Sequence, residues 1–188
     1  MHTLSLSRFR SLPRRRVLAL AIWLAAIGWM GVQPASAQEA PYDQVHRLLN
    51  AGELGVALSG ADEWLAKRPQ DPQMRFLRGV IRQRQGDIEG ATQTFQGLIQ
   101  DHPELPEPYN NLAVIHAAQG QLAKAREALE AAIRLNPQYG TAHRNLGDVY
   151  LQMAAESYRA ALRTGQDAGS TTRQLQAVER LLNPTATR

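Results

Sequence analysis

Four kinds of residue return along this chain at one interval of 34 positions. They are Pro69, Pro103 and Pro137; Gly52, Gly86 and Gly120; Ala57, Ala91 and Ala125; and Leu54, Ile88 and Leu122. Four columns at one spacing call for a structural unit copied along the chain. Such a unit buries its apolar face only against its neighbours, so the architecture is a stack. The clearest copy spans 106–139, "PEPYNNLAVIHAAQGQLAKAREALEAAIRLNPQY". Its first half places Tyr109, Leu112, Ala113, Ile115 and His116 at helical spacing before Gln119-Gly120. Its second half does the same with Leu122, Ala125, Leu129, Ala132 and Ile133 before Asn136-Pro137. Gly120 suits the left-handed conformation that ends a helix, and Pro137 cannot continue one. The unit therefore reads as helix–turn–helix.

This unit resembles the tetratricopeptide repeat (TPR). With Pro106 as position 1, the family pattern is met by Tyr109 at 4, Leu112 at 7, Ala113 at 8 and Gly120 at 15. Ala125 meets it at 20, Leu129 at 24, Ala132 at 27 and Pro137 at 32. The unit 72–105 carries Gly79, Gly86, Ala91, Phe95, Leu98 and Pro103 but has Arg75 and Arg78 at the first two positions. Phe76 and Leu77 are expected to pack in their stead. The unit 38–71 is divergent, keeping Val45, Leu48, Gly52, Leu54, Ala57, Ala61, Trp64 and Pro69, with its first helix starting after Pro41. The resemblance covers about residues 40–164. It implies an all-α fold, a right-handed TPR helical solenoid of about three repeats, packed through Gly86, Ala91, Leu112, Gly120, Ala125, Ala132, Leu146 and Gly147.

The fourth unit, 140–164, begins in register with His143, Leu146, Gly147 and Tyr150 and then lacks five residues, those that read "GQLAK" at 120–124. With the turn deleted, Leu146, Val149, Tyr150, Met153, Ser157, Tyr158, Ala161 and Leu162 keep one helical face. A single long helix from about 141 to 163 is expected, ending the array. Residues 170–183 read as a C-terminal capping helix, started by Ser170 or Thr171, with Gln174 completing a capping box, after a linker at 167–169. The tail 184–188 is expected to be disordered.

The formal charge of +4 suggests a basic protein, but five of the 21 Lys and Arg lie at Arg8, Arg10, Arg14, Arg15 and Arg16. They precede an uncharged apolar run, 17–32, and an A-x-A site at Ala35-Ser36-Ala37, the pattern of a secretory signal peptide over 1–37. Cleavage after Ala37 leaves 16 Lys and Arg against 17 Asp and Glu, so no electrostatic case for nucleic acid remains. The expected location is the periplasm, without stable membrane insertion after cleavage; the alternative is an uncleaved inner-membrane anchor. There is no Cys, so disulfides and thiolate chemistry are excluded.

No catalytic constellation is legible. His46, His102, His116 and His143 are scattered, and no metal-binding, nucleophile-elbow or phosphate-loop motif is present. His116 and His143 fall at aromatic-type packing positions. No enzyme, metal or cofactor is expected. Arg75, Arg78 and Arg82 share a helix face, read as solvated or as a site for an acidic partner.

What the resemblance implies about function is a concave face lined by the first helices. By register it contains Tyr42, His46 and Asn50; Gln73, Phe76, Val80, Gln83 and Arg84; Glu107, Asn110, Val114, Ala117 and Ala118; and Thr141, Arg144, Asp148, Leu151 and Gln152. Phe76, Val80, Arg84, Asn110, Val114, Arg144 and Asp148 are the nominated partner contacts. Asn110, Asn111, Arg144 and Asn145 match only loosely the family's clamp for a C-terminal carboxylate. The expectation is an exported scaffold or adaptor that binds a peptide or helix of an envelope protein. The alternative is a self-associating or membrane-anchored structural component. The sequence leaves the oligomeric state open.

Overall fold

The computed structural model describes residues 41–165 and 168–183. The expected signal segment and the 184–188 tail lie outside them. The described residues form eight α-helices and no strand: α1 (Pro41–Ala51), α2 (Leu54–Lys67), α3 (Pro72–Gln85), α4 (Ile88–Asp101), α5 (Pro106–Ala118), α6 (Leu122–Leu135), α7 (Gly140–Arg163) and α8 (Ala168–Leu182). Each helix packs on the next, and the first helices of neighbouring units also touch, α1 with α3 and α5 with α7. This is the stack of helical pairs that the 34-residue period requires.

The turns repeat in atomic detail. Gly52, Gly86 and Gly120 have φ of 78°, 84° and 72°. In each turn the following amide reaches back five residues, from Glu53 to the Leu48 carbonyl, Asp87 to Arg82 and Gln121 to His116, at 2.8–3.0 Å. Orphan carbonyls at the end of the first helix are thereby satisfied. Gly86 and Gly120 thus serve the turn and not the packing expected of them. Both are exposed, and a Cβ added to either would meet nothing within 4 Å. The proline column acts through its carbonyl. Tyr109 donates its hydroxyl proton to Pro103 O at 3.2 Å, and one unit later His143 Nε2 donates to Pro137 O at 2.9 Å. His143 is exposed, so it latches a turn and does not fill the core; His116 is half-buried and bonds Gln121.

Packing is carried by the small columns. Ala57, Ala91, Ala125, Ala113 and Ala132 are wholly buried. At position 8 of the second unit a Cβ on Gly79 would lie 2.6 Å from Phe95 Cε1 and 2.9 Å from Cζ. The ring of the second helix lies directly on the backbone of the first. Gly147, in the same column of the fourth unit, is exposed, and a Cβ there meets nothing within 4 Å. Its expected packing role fails for a physical reason. Position 8 packs against the second helix of its own unit, and here that segment continues along the same helix. The column should therefore split. Gly79→Ala is expected to destabilise by about 1–3 kcal/mol through overpacking. Gly147→Ala should be neutral or stabilise by up to about 1 kcal/mol through helix propensity. Thermal melts of both variants decide; shifts of equal sign would refute this assignment.

The first unit, whose sequence is the most divergent, is braced by polar contacts. Asp71 caps α3 by accepting the Met74 amide at 3.0 Å through Oδ1, while Oδ2 accepts from the Tyr42 hydroxyl at 2.5 Å and Trp64 Nε1 at 2.7 Å. Burial pushes the Asp71 carboxyl upward, but the hydrogen bonds from Tyr42, the Met74 amide and Trp64 outweigh it. The group is held below the ordinary aspartate range. Arg68 stacks on Trp64, 3.9 Å from the ring centroid.

Arg75 and Arg78 occupy positions 4 and 7 of the second unit without breaking it. Leu77 is buried and the half-buried Phe76 lies against Phe95, as expected. The arginine heads reach the edges of the stack: Arg75 pairs with Asp101 at 2.7 Å, Arg78 with Asp62 at 3.6 Å and Arg82 with Asp87 at 3.8 Å. The basic row is answered from within the protein.

Helix α7 runs unbroken for 24 residues, about 36 Å. Ala142 and Val149 are buried against α6, with Leu146 and Met153 half-buried beside them. Tyr150 and Ser157, expected on the same buried face, are exposed. Helix α8 packs on α7, with Arg159 of α7 and Glu179 of α8 paired at 2.7 Å. It begins at Ala168, earlier than the expected cap. Thr171 lies inside the helix, 8 % exposed, and Thr172 bonds back to the Ala168 carbonyl at 2.6 Å. Ala168 and Gly169 are themselves exposed, so the two-residue difference is the ordinary latitude of a helix end.

Candidate partner-binding groove

Two cavities lie along the row of first helices. One, of about 340 Å³, sits between α5 and α7 and is lined by Ala113, Val114, Ala117, Ala118, Asn145, Asp148, Val149 and Gln152, with Leu129 of α6. It exists because positions 12 and 13 of the third unit are Ala117 and Ala118, where the second unit has Gln83 and Arg84. The other, of about 360 Å³, has an apolar floor of Pro72, Phe76, Leu77, Leu105 and Pro108, bordered by His46, Gln73 and Glu107. Each cavity joins neighbouring units, so neither exists on a single repeat.

The nominated contacts divide. Val114 and Asp148 line the first cavity and Phe76 the second. Val114 is 38 % exposed, a large apolar side chain open to solvent. Phe76 has two roles, since its ring also rests 5.8 Å from that of Phe95. Val80 is half-buried between two apolar clusters. Arg84 donates to the Leu49 carbonyl at 3.2 Å, tying α3 to the end of α1. Arg144 is exposed and lines neither cavity.

Asn110 departs most from its expected place. It is 4 % exposed, its Oδ1 accepts from Asn145 Nδ2 at 2.8 Å, and its Nδ2 donates to Asn111 Oδ1 at 3.4 Å. The three amides satisfy one another between α5 and α7, which a buried polar group requires. Three of the four residues that loosely resembled a carboxylate clamp are thus spent on joining two repeats, while Arg144 stays exposed. Asn145 and Val149 line the cavity although the register did not nominate them. Their part depends on how closely α7 approaches α5, and no local signal carries that. Tyr139, beside the same helix pair, has its phenol pushed above the ordinary range by burial and by the nearby Glu107 carboxylate.

The comparisons with known proteins agree with this fold. Residues 42–106 match the family model described as "Tetratricopeptide repeat", and residues 115–153 match one described as "TPR repeat". A curated relative, the "Probable biofilm formation methyltransferase WspC" of Pseudomonas putida, is 32% identical over 131 residues, 65% of this chain and 28% of that protein. The chain thus spans little more than a quarter of it, and the methyl transfer in its name is a statement about that whole protein. A thermophilic TPR protein of Thermus thermophilus superposes with a TM-score of 0.58 at 23% identity, covering 76% of this chain and 81% of that one. The first TPR of Spaghetti (RPAP3), bound to the HSP90 peptide SRMEEVD, superposes with a TM-score of 0.55 at 15% identity, covering 61% of this chain and 90% of that one.

Proposed function

Since this is a chain of tetratricopeptide repeats, we propose that it is an exported, non-catalytic adaptor holding a segment of another envelope protein in the groove of its first helices. The observation that carries the reading is the pair of cavities on that row, each with an apolar floor and a few polar groups at its edge. That composition suits recognition of an extended peptide or a helix. The RPAP3 domain, of like fold, is bound to a peptide. Export rests on the basic, apolar and A-x-A pattern of residues 1–37.

The test fills the groove without touching the core. Val114 and Ala118 are exposed on the cavity wall. The double variant Val114→Trp, Ala118→Trp should lose partners captured by cross-linking in the periplasm by at least about tenfold, with its melting curve unchanged. Partners retained at wild-type yield would refute the groove. Intact mass of the exported protein checks the rest: a chain beginning at Gln38 is expected, and one beginning at Met1 would rule out cleavage.

A further inference from the structure

We infer that the cavity between α5 and α7 takes a lysine or arginine side chain of the bound segment, with Asp148 as its counter-charge; this rests on the groove reading above. The wall of the cavity is aliphatic, made by Ala113, Val114, Ala117 and Ala118. The hydrocarbon stem of a lysine or arginine finds apolar contact along this wall. Asp148 is the one charged residue in the lining, and it makes no ion pair or hydrogen bond among the described residues. Asp148 is exposed at the cavity mouth and, like Asp43 but unlike Asp62, Asp71, Asp87 and Asp101, holds no cation or donor from the described residues.

The other polar groups of the lining complete an acceptor set. The Asn145 amide nitrogen is committed to Asn110, which leaves its carbonyl oxygen, and Gln152 stands one turn beyond Asp148. Arg144, one turn before Asp148 on α7, lies outside the lining and forms no ion pair with it among the described residues. An ammonium or guanidinium entering the cavity keeps its charge in contact with a carboxylate while its stem covers apolar surface. An acidic side chain there would face Asp148 with no cation between them. The neighbouring cavity repeats the sign, with Glu107 beside the apolar floor around Phe76. The bound segment is accordingly apolar and basic, unlike an acidic C-terminal tail.

The experiment uses the full-length protein, labelled for NMR, and short acetylated, amidated peptide pools fixed only at the central position as Lys, Arg, norleucine or Glu. The Lys and Arg pools should shift the Val114, Ala117 and Ala118 resonances. They should bind about threefold to fivefold more tightly than norleucine, which has the lysine stem without the charge. Asp148→Asn should abolish that preference, and Asp148→Lys should transfer it to the Glu pool. Equal binding of the Lys and norleucine pools, or a preference that survives Asp148→Asn, overturns the cation site while leaving the groove intact. Shifts confined to resonances outside the groove, or no shift with any pool, overturn both.

Discussion

Replacing Phe95 with alanine is expected to lower the stability of the protein by about 3–5 kcal/mol, a large share of the ~5–15 kcal/mol that holds a typical domain. Phe95 is among the largest fully buried side chains. Its ring closes on Gly79 of the paired helix and on Phe76, and it shares a cluster with Leu112 and Ile115 of the following unit. It therefore holds its own repeat together and couples that repeat to the next. Because each repeat is stabilised by its neighbours, loss of the central one should also broaden the transition. Urea unfolding followed by circular dichroism measures both effects. A loss below about 1 kcal/mol would mean that the stack collapses around the deletion and that the central pairing is not what holds it.

A proline at Met153 tests the other end of the array. Met153 lies in the middle of α7, half-buried against the cluster formed with α6, and its carbonyl accepts from the Ser157 hydroxyl at 2.9 Å. Met153→Pro removes one backbone hydrogen bond and forces the ring onto the preceding turn, at a cost of about 3 kcal/mol or more. It should also bend the helix between Val149 and Ala155, both of which are buried. A variant that melts within about 0.5 kcal/mol of wild type would indicate a chain that turns near residue 153, as the three earlier units turn at their glycines.

The legible and the hidden parts of this molecule differ in kind. The glycine of the turn, the proline of the exit and the alanines of the helix contact were readable because each acts through its own backbone or its own size. The fused helix was readable because a missing "GQLAK" leaves the apolar period unbroken. The candidate site was only half legible. Register placed Phe76, Val114 and Asp148 on the groove, but the same register placed Asn110 there, and the structure buries it against Asn145. Period and register specify the face of a helix, not how near the next helix comes. That distance decides whether a polar side chain meets solvent or another amide.

Gly79 and Gly147 draw the same line most sharply. Both stand at position 8, and nothing local distinguishes them. One carries an aromatic ring on its backbone and the other faces open space, because the second helix that should cross it has become its own continuation. By itself the sequence determined the repeat, its turns and the point at which the array stops, since these follow from backbone freedom and the period of apolar residues. Only the tertiary structure decided which members of each column touch a neighbour, that Arg75, Arg78 and Arg82 are paired internally, and that an unpaired carboxylate lines a cavity. Those outcomes depend on distances between helices that lie far apart in the chain.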